Sequence, residues 1–256
     1  TARLGDIMST DVISVPVEAD QEEVADLVDK YDFVAIPVVD PQGRLVGAVT
    51  VDDVLDVIEE EATEDIYKMA GSSAEEEESE SILHVARYRL PWLLIGLAGT
   101  QLSTAVLQIA KGHVQLYEQM SVFTASIMAM AGNTSLQSAT TTVRRLALDT
   151  LPRRRFLRHV LRELLVALLM GMVCGATAAA LALVFRHDPT IGFALGLAMA
   201  IAMSTASLLG SAMPLVLDLV KIDPAVASGP LVSTINDSLA LTLYFIVATS
   251  LLLALG

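Results

Sequence analysis

Asp237 is the residue whose chemistry asks for explanation first. It lies in Leu231-Val-Ser-Thr-Ile-Asn-Asp-Ser-Leu-Ala240 and is the one carboxylate well inside a long apolar stretch. A charge at that depth in lipid costs roughly 3 kcal/mol on insertion scales, so it must face a polar interior. Ser233, Asn236, Asp237 and Ala240 recur at i, i+3, i+4 and i+7, which gives one helical face of small or polar groups. Lipid would not tolerate that face; a hydrated cation would use it. A second polar run holds Ser121, Thr124, Ser126, Asn133, Thr134, Ser135, Gln137 and Ser138. If the two segments cross in opposite directions, Asp237 lies about 10 Å and Asn133 about 13 Å from the same membrane edge. Oxygen-only ligands favour a hard ion such as Mg²⁺, which keeps much of its water. One Asp holds too little charge for a divalent ion, whereas a two-fold dimer brings two to one axis. The plainer alternative is that Asp237 hydrogen-bonds a neighbouring helix, as small polar residues do where helices pack closely.

A second set of carboxylates lies near the start of the chain. Asp52, Asp53, Asp56, Glu59, Glu60, Glu61, Glu64 and Asp65 fall on one helical stretch. Asp53, Asp56 and Glu60 share a face by spacing, and Glu61, Glu64 and Asp65 form another cluster. Like charges at three- and four-residue spacing repel by a few tenths of a kcal/mol per pair. Either the face is simply solvated or divalent ions bridge its carboxylates. Glu75–Glu80 reads as a flexible acidic linker.

Other chemistries find little support. His84, His113, His159 and His187 are scattered, the single Cys174 has no partner, and no nucleophile elbow, phosphate loop or dinucleotide glycine pattern occurs. The chain does not read as an enzyme. The charge pattern also disfavours nucleic acid as a partner. Residues 1–81 hold 23 acidic against 4 basic side chains, and residues 82–256 hold 7 against 12. The chain starts at Thr1 rather than Met and without a signal peptide, which leaves open a natural start further upstream.

The elements that position these residues follow from periodicity. An acidic unit, 1–66, reads β-α-β-β-α: strands Val12–Val15, Val34–Val39 and Leu45–Thr50, helices Gln21–Lys30 and Val51–Ala62. Val24, Leu27 and Val28 face inward on the first helix, and Val54, Leu55 and Ile58 form the stripe on the second. An acidic linker and connecting helix occupy 67–89. Residues 90–256 form an all-α bundle of five transmembrane helices, near 90–110, 119–142, 160–185, 191–217 and 231–255. Arg87, Arg89, Lys221 and the seven arginines of 144–162 fall in three regions, against Lys111 and Arg186 elsewhere. The positive-inside rule then puts those three regions and the acidic unit in the cytoplasm of a multi-pass cell-membrane protein, with Gly256 outside.

Gly5-Asp-Ile-Met8, Val38-Val-Asp40 and Gly43-Arg-Leu-Val-Gly47-Ala-Val-Thr-Val-Asp-Asp53 resemble one CBS motif. In CBS domains the pattern carried here by Gly47, Thr50 and Asp53 often meets an adenosyl ligand. The resemblance therefore makes Thr50 and Asp53 candidate ATP contacts.

The whole chain resembles the MgtE family of magnesium channels. The resemblance rests on Tyr31-Asp-Phe33, Val49-Thr-Val-Asp-Asp-Val-Leu-Asp56, Glu61-Ala-Thr-Glu-Asp65, Gly132-Asn-Thr134, Gln137-Ser-Ala-Thr140, Asp223-Pro-Ala and Pro230-Leu-Val-Ser-Thr234 with Asp237. It implies a homodimer with a Mg²⁺-permeable pore in the lipid bilayer, lined by Asp237, Asn133, Gly132, Ser233 and Asn236. It also implies gating by cytosolic Mg²⁺ at Asp53, Asp56, Glu61, Glu64, Asp65 and Asp223, and a plug-like helix around Ser79–Tyr88. The family's acidic N-terminal domain and first CBS motif are absent. The family commonly has Gly-Gly-Asn-x-Gly-Asn-Gln where this chain has Ala131-Gly-Asn-Thr-Ser-Leu-Gln137, and Asn where it has Gly229. Fewer amides at the pore wall imply looser discrimination against Mn²⁺, Co²⁺ and Ca²⁺. The competing expectation is a nucleotide-sensing CBS membrane module that transports nothing.

Overall fold

The computed structural model describes residues 3–8, 11–76, 81–113, 117–148, 151–186 and 189–255. The chain divides into two compact units, Thr1–Asp65 and Ile66–Gly256.

The first unit contains α1 (Leu4–Ile7), β1 (Val15–Pro16), α2 (Gln21–Tyr31), β2 (Ala35–Val39), β3 (Leu45–Thr50) and the start of α3 (Val51–Met69). The strands pair in the order β1-β2-β3, parallel then antiparallel. A parallel pair needs a crossover, and α2 supplies it. Asp20 starts α2 by accepting the Glu22 N–H, and Asp32 ends it in the left-handed conformation with φ 53°. The β2–β3 turn is held by Asp40, which accepts from the Gln42 and Arg44 N–H groups at 3.0 and 2.8 Å and from Arg44 Nε at 2.9 Å. Gly43 supplies the positive φ of 76° that this turn requires.

Val15, Val24, Ala25, Val28, Ile36 and Val54 form the core of this unit, with Leu27 and Val57 packed against it. The expected stripe on α3 is therefore corrected. Val54 is buried, but Leu55 and Ile58 are 61% and 44% exposed. The three-stranded sheet is narrow, and α3 offers it the Val54–Val57 edge, which leaves the next rows of apolar side chains uncovered.

The second unit is helical: α4 (Ile82–His113), α5 (Tyr117–Ser121), α6 (Thr124–Ala147), α7 (Phe156–Arg186), α8 (Pro189–Leu219) and α9 (Pro230–Leu255). Ile82–Gly112, Arg153–Phe185, Pro189–Leu219 and Val232–Leu251 are long and apolar enough to cross a membrane. At 24 residues, α6 is about 36 Å long, but its Ser, Thr, Asn and Gln content lowers its hydropathy. It packs on α8 and α9 instead. The described part of the expected connecting helix is continuous with the first apolar helix. No glycine or proline interrupts 82–90, and Pro91 sits in line within α4.

Close backbone approaches set the bundle. Gly175 meets Gly196 across α7 and α8, and a Cβ on Gly210 would strike the Ser135 carbonyl of α6. Buried hydroxyls add cross-links. Ser138 and Ser207 share a hydrogen bond of 2.7 Å between α6 and α8. Thr142 donates to the Ser138 carbonyl at 2.7 Å, so its oxygen accepts from His159 Nε2 of α7 at 2.8 Å. Tyr244 of α9 donates to the Met120 carbonyl at 2.9 Å.

Candidate functional site

The polar face of α9 and the polar run of α6 meet. Between them lies a cavity of about 490 Å³, lined by Gly132, Asn133, Ser135, Leu136, Ser233 and Asp237, with Gly229 and the apolar Met69, Ala70, Met128, Ala129 and Val232. Among the described residues Asp237 is the only ionisable side chain in that lining, and it is partly exposed. A methyl group added at Gly132 would sit 3.9 Å from Asp237 Oδ1, an ordinary van der Waals distance, so the two positions face each other in the cavity. Asn133 and Ser233 are exposed.

Four of the five residues assigned to the pore from sequence thus share one cavity. Asn236 does not line it: the side chain is 1% exposed and its Nδ2 has no partner among the described residues. Helical spacing put it near the same face, but one position of rotation turns it into the helix contact. Ser135, Leu136 and Gly229 also line the cavity. These are three of the four positions where the sequence departs from the pattern it resembles; the fourth, Ala131, is fully buried and does not line the cavity. Met69 and Ala70 were not legible as lining residues, because the helix was expected to end at Ala62 and instead runs to Met69.

The acidic sites are distributed differently. Asp53 and Asp56 are exposed, and Glu61, Glu64 and Asp65 are partly buried. Glu61 Oε1 accepts from Gln21 Nε2 at 2.8 Å. Among the described residues no three His, Cys, Asp or Glu side chains gather into a group that could hold a metal ion. Asp53 caps α3: its Oδ2 accepts the Thr50 hydroxyl at 2.7 Å and the Thr50 N–H at 3.3 Å. Both oxygens of Asp223 are occupied, Oδ2 by Lys68 Nζ at 2.7 Å and Oδ1 by the Ala225 N–H at 2.8 Å. The expected acidic linker is corrected at Glu76. Its carboxylate is buried, and Oε2 receives both Nε and Nη2 of Arg89 at 2.7 Å. That hydrogen-bonded partner holds the Glu76 carboxyl below the ordinary carboxylate range. Residues 77–80 lie outside the described ones.

Residues 124–247, which contain the whole cavity-bearing stretch of α6 and most of α9, match the MgtE family, described as a divalent cation transporter. Residues 4–60 match the CBS domain. Proteins named Magnesium transporter MgtE from Bacillus subtilis, Enterococcus faecalis and Thermus thermophilus are 35%, 39% and 37% identical to 97%, 96% and 98% of this chain. The chain belongs to the MgtE family. It spans about half the length of these relatives: 55%, 54% and 56%. MgtE proteins are transporters rather than enzymes, and the apolar helices make this member a multi-pass membrane protein.

Proposed function

We propose that this chain supplies half of a dimeric pore through which a largely hydrated Mg²⁺ moves passively into the cytosol. The observation that carries this reading is the cavity between α6 and α9, with Asp237 as the one charged group among its described lining residues. Two such carboxylates about a two-fold axis attract a divalent ion through its water shell, while Asn133, Gly132 and Ser233 offer oxygens and space around it. At 100 mV, inside negative, a doubly charged ion gains about 4.6 kcal/mol on entry, so no energy-coupling site is needed. α4, α6, α7, α8 and α9 make five crossings, with α6 shielded from lipid by its neighbours. The arginine-bearing ends and the CBS unit are cytoplasmic and the C-terminal end is outside.

Cytosolic Mg²⁺ closes the pore by binding Asp53, Asp56, Glu61, Glu64, Asp65 and Asp223. For that it must bind the closed arrangement more tightly than the open one. The donors are carboxylates, which suit Mg²⁺, and a regulatory ion has to displace Lys68 from Asp223. At the CBS motif, an ATP ribose must compete with the Thr50–Asp53 cap. Calorimetry with ATP and with Mg²⁺ separates these sensor ligands. A nucleotide-sensing module without transport leaves the Asp237 cavity unexplained.

The decisive experiment is Mg²⁺ flux in reconstituted vesicles. Asp237→Ala should lower uptake at least tenfold, roughly the loss of a 1.4 kcal/mol interaction. Uptake equal to that of the unsubstituted chain would refute the pore assignment.

A further inference from the structure

The arginines between α6 and α7 take no part in the pore reading. Arg144 lies near the end of α6, Arg153, Arg154 and Arg155 form the 3₁₀ turn before α7, and Arg158 and Arg162 follow on its first turns. All six are exposed, and among the described residues no ion pair ties any of them. Of the nearby acids, Glu163 is partly buried, and Asp149 lies outside the described residues.

Three of them are placed specifically, on the turn that leads into α7 and on its first turns. Arg154, Arg158 and Arg162 recur every four residues. On the same side of the helix, Leu161, Leu165 and Leu169 are exposed at 49%, 66% and 62%. The opposite side is packed: Ala167 is fully buried, and Gly171 and Gly175 abut Ala200 and Gly196 of α8. From Arg158 to Leu169 the helix rises about 16 Å, close to the depth of one leaflet's hydrocarbon. One outward face thus carries guanidinium groups at its end and an apolar ladder below them.

We propose that this face of α7 is a binding site for an anionic phospholipid. The phosphate is held by Arg158 and Arg162 with Arg154 beside them, and an acyl chain lies along Leu161, Leu165 and Leu169. Guanidinium groups bind phosphate oxygens through paired N–H donors. The unpaired positive cluster repels a choline headgroup and favours a headgroup of net negative charge. A nucleic acid would use the arginines but leave the leucine ladder bare, so the face fits lipid. Orienting the chain in the membrane requires only the number of charges. Aligning three of them over an apolar ladder makes a site.

Native mass spectrometry of the purified full chain should show a higher association constant for phosphatidylglycerol than for phosphatidylcholine. The R154Q/R158Q/R162Q variant should lose that preference by on the order of a hundred-fold, and Arg162→Gln alone by roughly fivefold. Lys221→Gln, which removes a charge from a different connection, should leave it unchanged. Because the single substitution is mild, it keeps the test informative if the triple variant does not fold. Equal association constants for the two lipids would overturn the proposal. So would an unchanged preference in the arginine variants, an equal loss in Lys221→Gln, or displacement of the lipid by inorganic phosphate or an oligonucleotide.

Discussion

At the scale of single residues, charge and shape at the cavity wall are separable. Asp237→Asn keeps the volume and one oxygen acceptor while removing the charge. Its Mg²⁺ uptake in vesicles should fall nearly as far as that of the alanine variant, because attraction through a water shell depends on charge. Uptake by the Asn variant within twofold of normal would mean that hydrogen bonding, rather than charge, is the useful property of Asp237. Leu136 brings an apolar side chain to the same wall. Leu136→Asn adds a hydrogen-bonding group for ordered water, so the uptake ratio of Mg²⁺ over Ca²⁺ should rise; an unchanged ratio would place selectivity elsewhere. Lys68 and Asp223 are both partly exposed, with side chains 31% and 37% accessible. Screening limits their pair to about 1 kcal/mol at most. Lys68→Met should therefore cost little stability yet increase the thermal stabilisation given by added Mg²⁺, since Asp223 Oδ2 becomes available.

At the scale of elements, the wall of the site depends on how closely α6 lies against α8. Gly210 permits the Ser135 carbonyl to approach α8, and a Cβ there must push α6 away. Gly210→Ala should cost about 1–3 kcal/mol by overpacking and lower Mg²⁺ flux, because the displaced helix carries Gly132 and Asn133. A melting temperature and flux both unchanged would show that the bundle absorbs the methyl group elsewhere. In the first unit the β2–β3 turn is the acid-sensitive element. The Arg44 N–H, with its side chain and the Gln42 N–H assisting, holds the Asp40 carboxyl below its ordinary value of 3.8. A carboxyl lowered on folding stabilises above its unfolded pKa, and that stabilisation disappears as pH falls through the lower folded value. Asp40→Asn should weaken the unit at pH 7 and make progressively less difference as pH falls below 3.8. A stability difference independent of pH would mean that the turn does not use the charge.

At the scale of the whole molecule, the proposed dimeric pore requires that the exposed Asn133 and Ser233 face a second copy of the chain. Much of this architecture was legible beforehand. The division between an acidic unit and an apolar one follows from charge counts, and the strand–helix order follows from period two giving way to period 3.6. The meeting of Asp237 with Gly132 and Asn133 was legible as a matching of depths on two segments. Periodicity gives a face to within about a residue, however, and that margin separates Asp237 in the cavity from Asn236 in the helix contact. Leu55 and Ile58 are exposed for a similar reason: an amphipathic stripe is wider than the narrow sheet that covers it. The pairing of Glu76 with Arg89 was hidden inside an acidic run, because composition cannot show that one of five glutamates finds a cation thirteen positions away.

The sequence by itself determined which segments are apolar, where charge accumulates and which carboxylate must be shielded from lipid, because these follow from transfer energies and local repeat. Only the tertiary structure decided which neighbours complete each polar group: Gly132 opposite Asp237, Lys68 on Asp223, His159 on Thr142. Those choices rest on packing between distant helices, where a missing Cβ at Gly175, Gly196 or Gly210 sets the approach of backbones and so the register in which side chains meet.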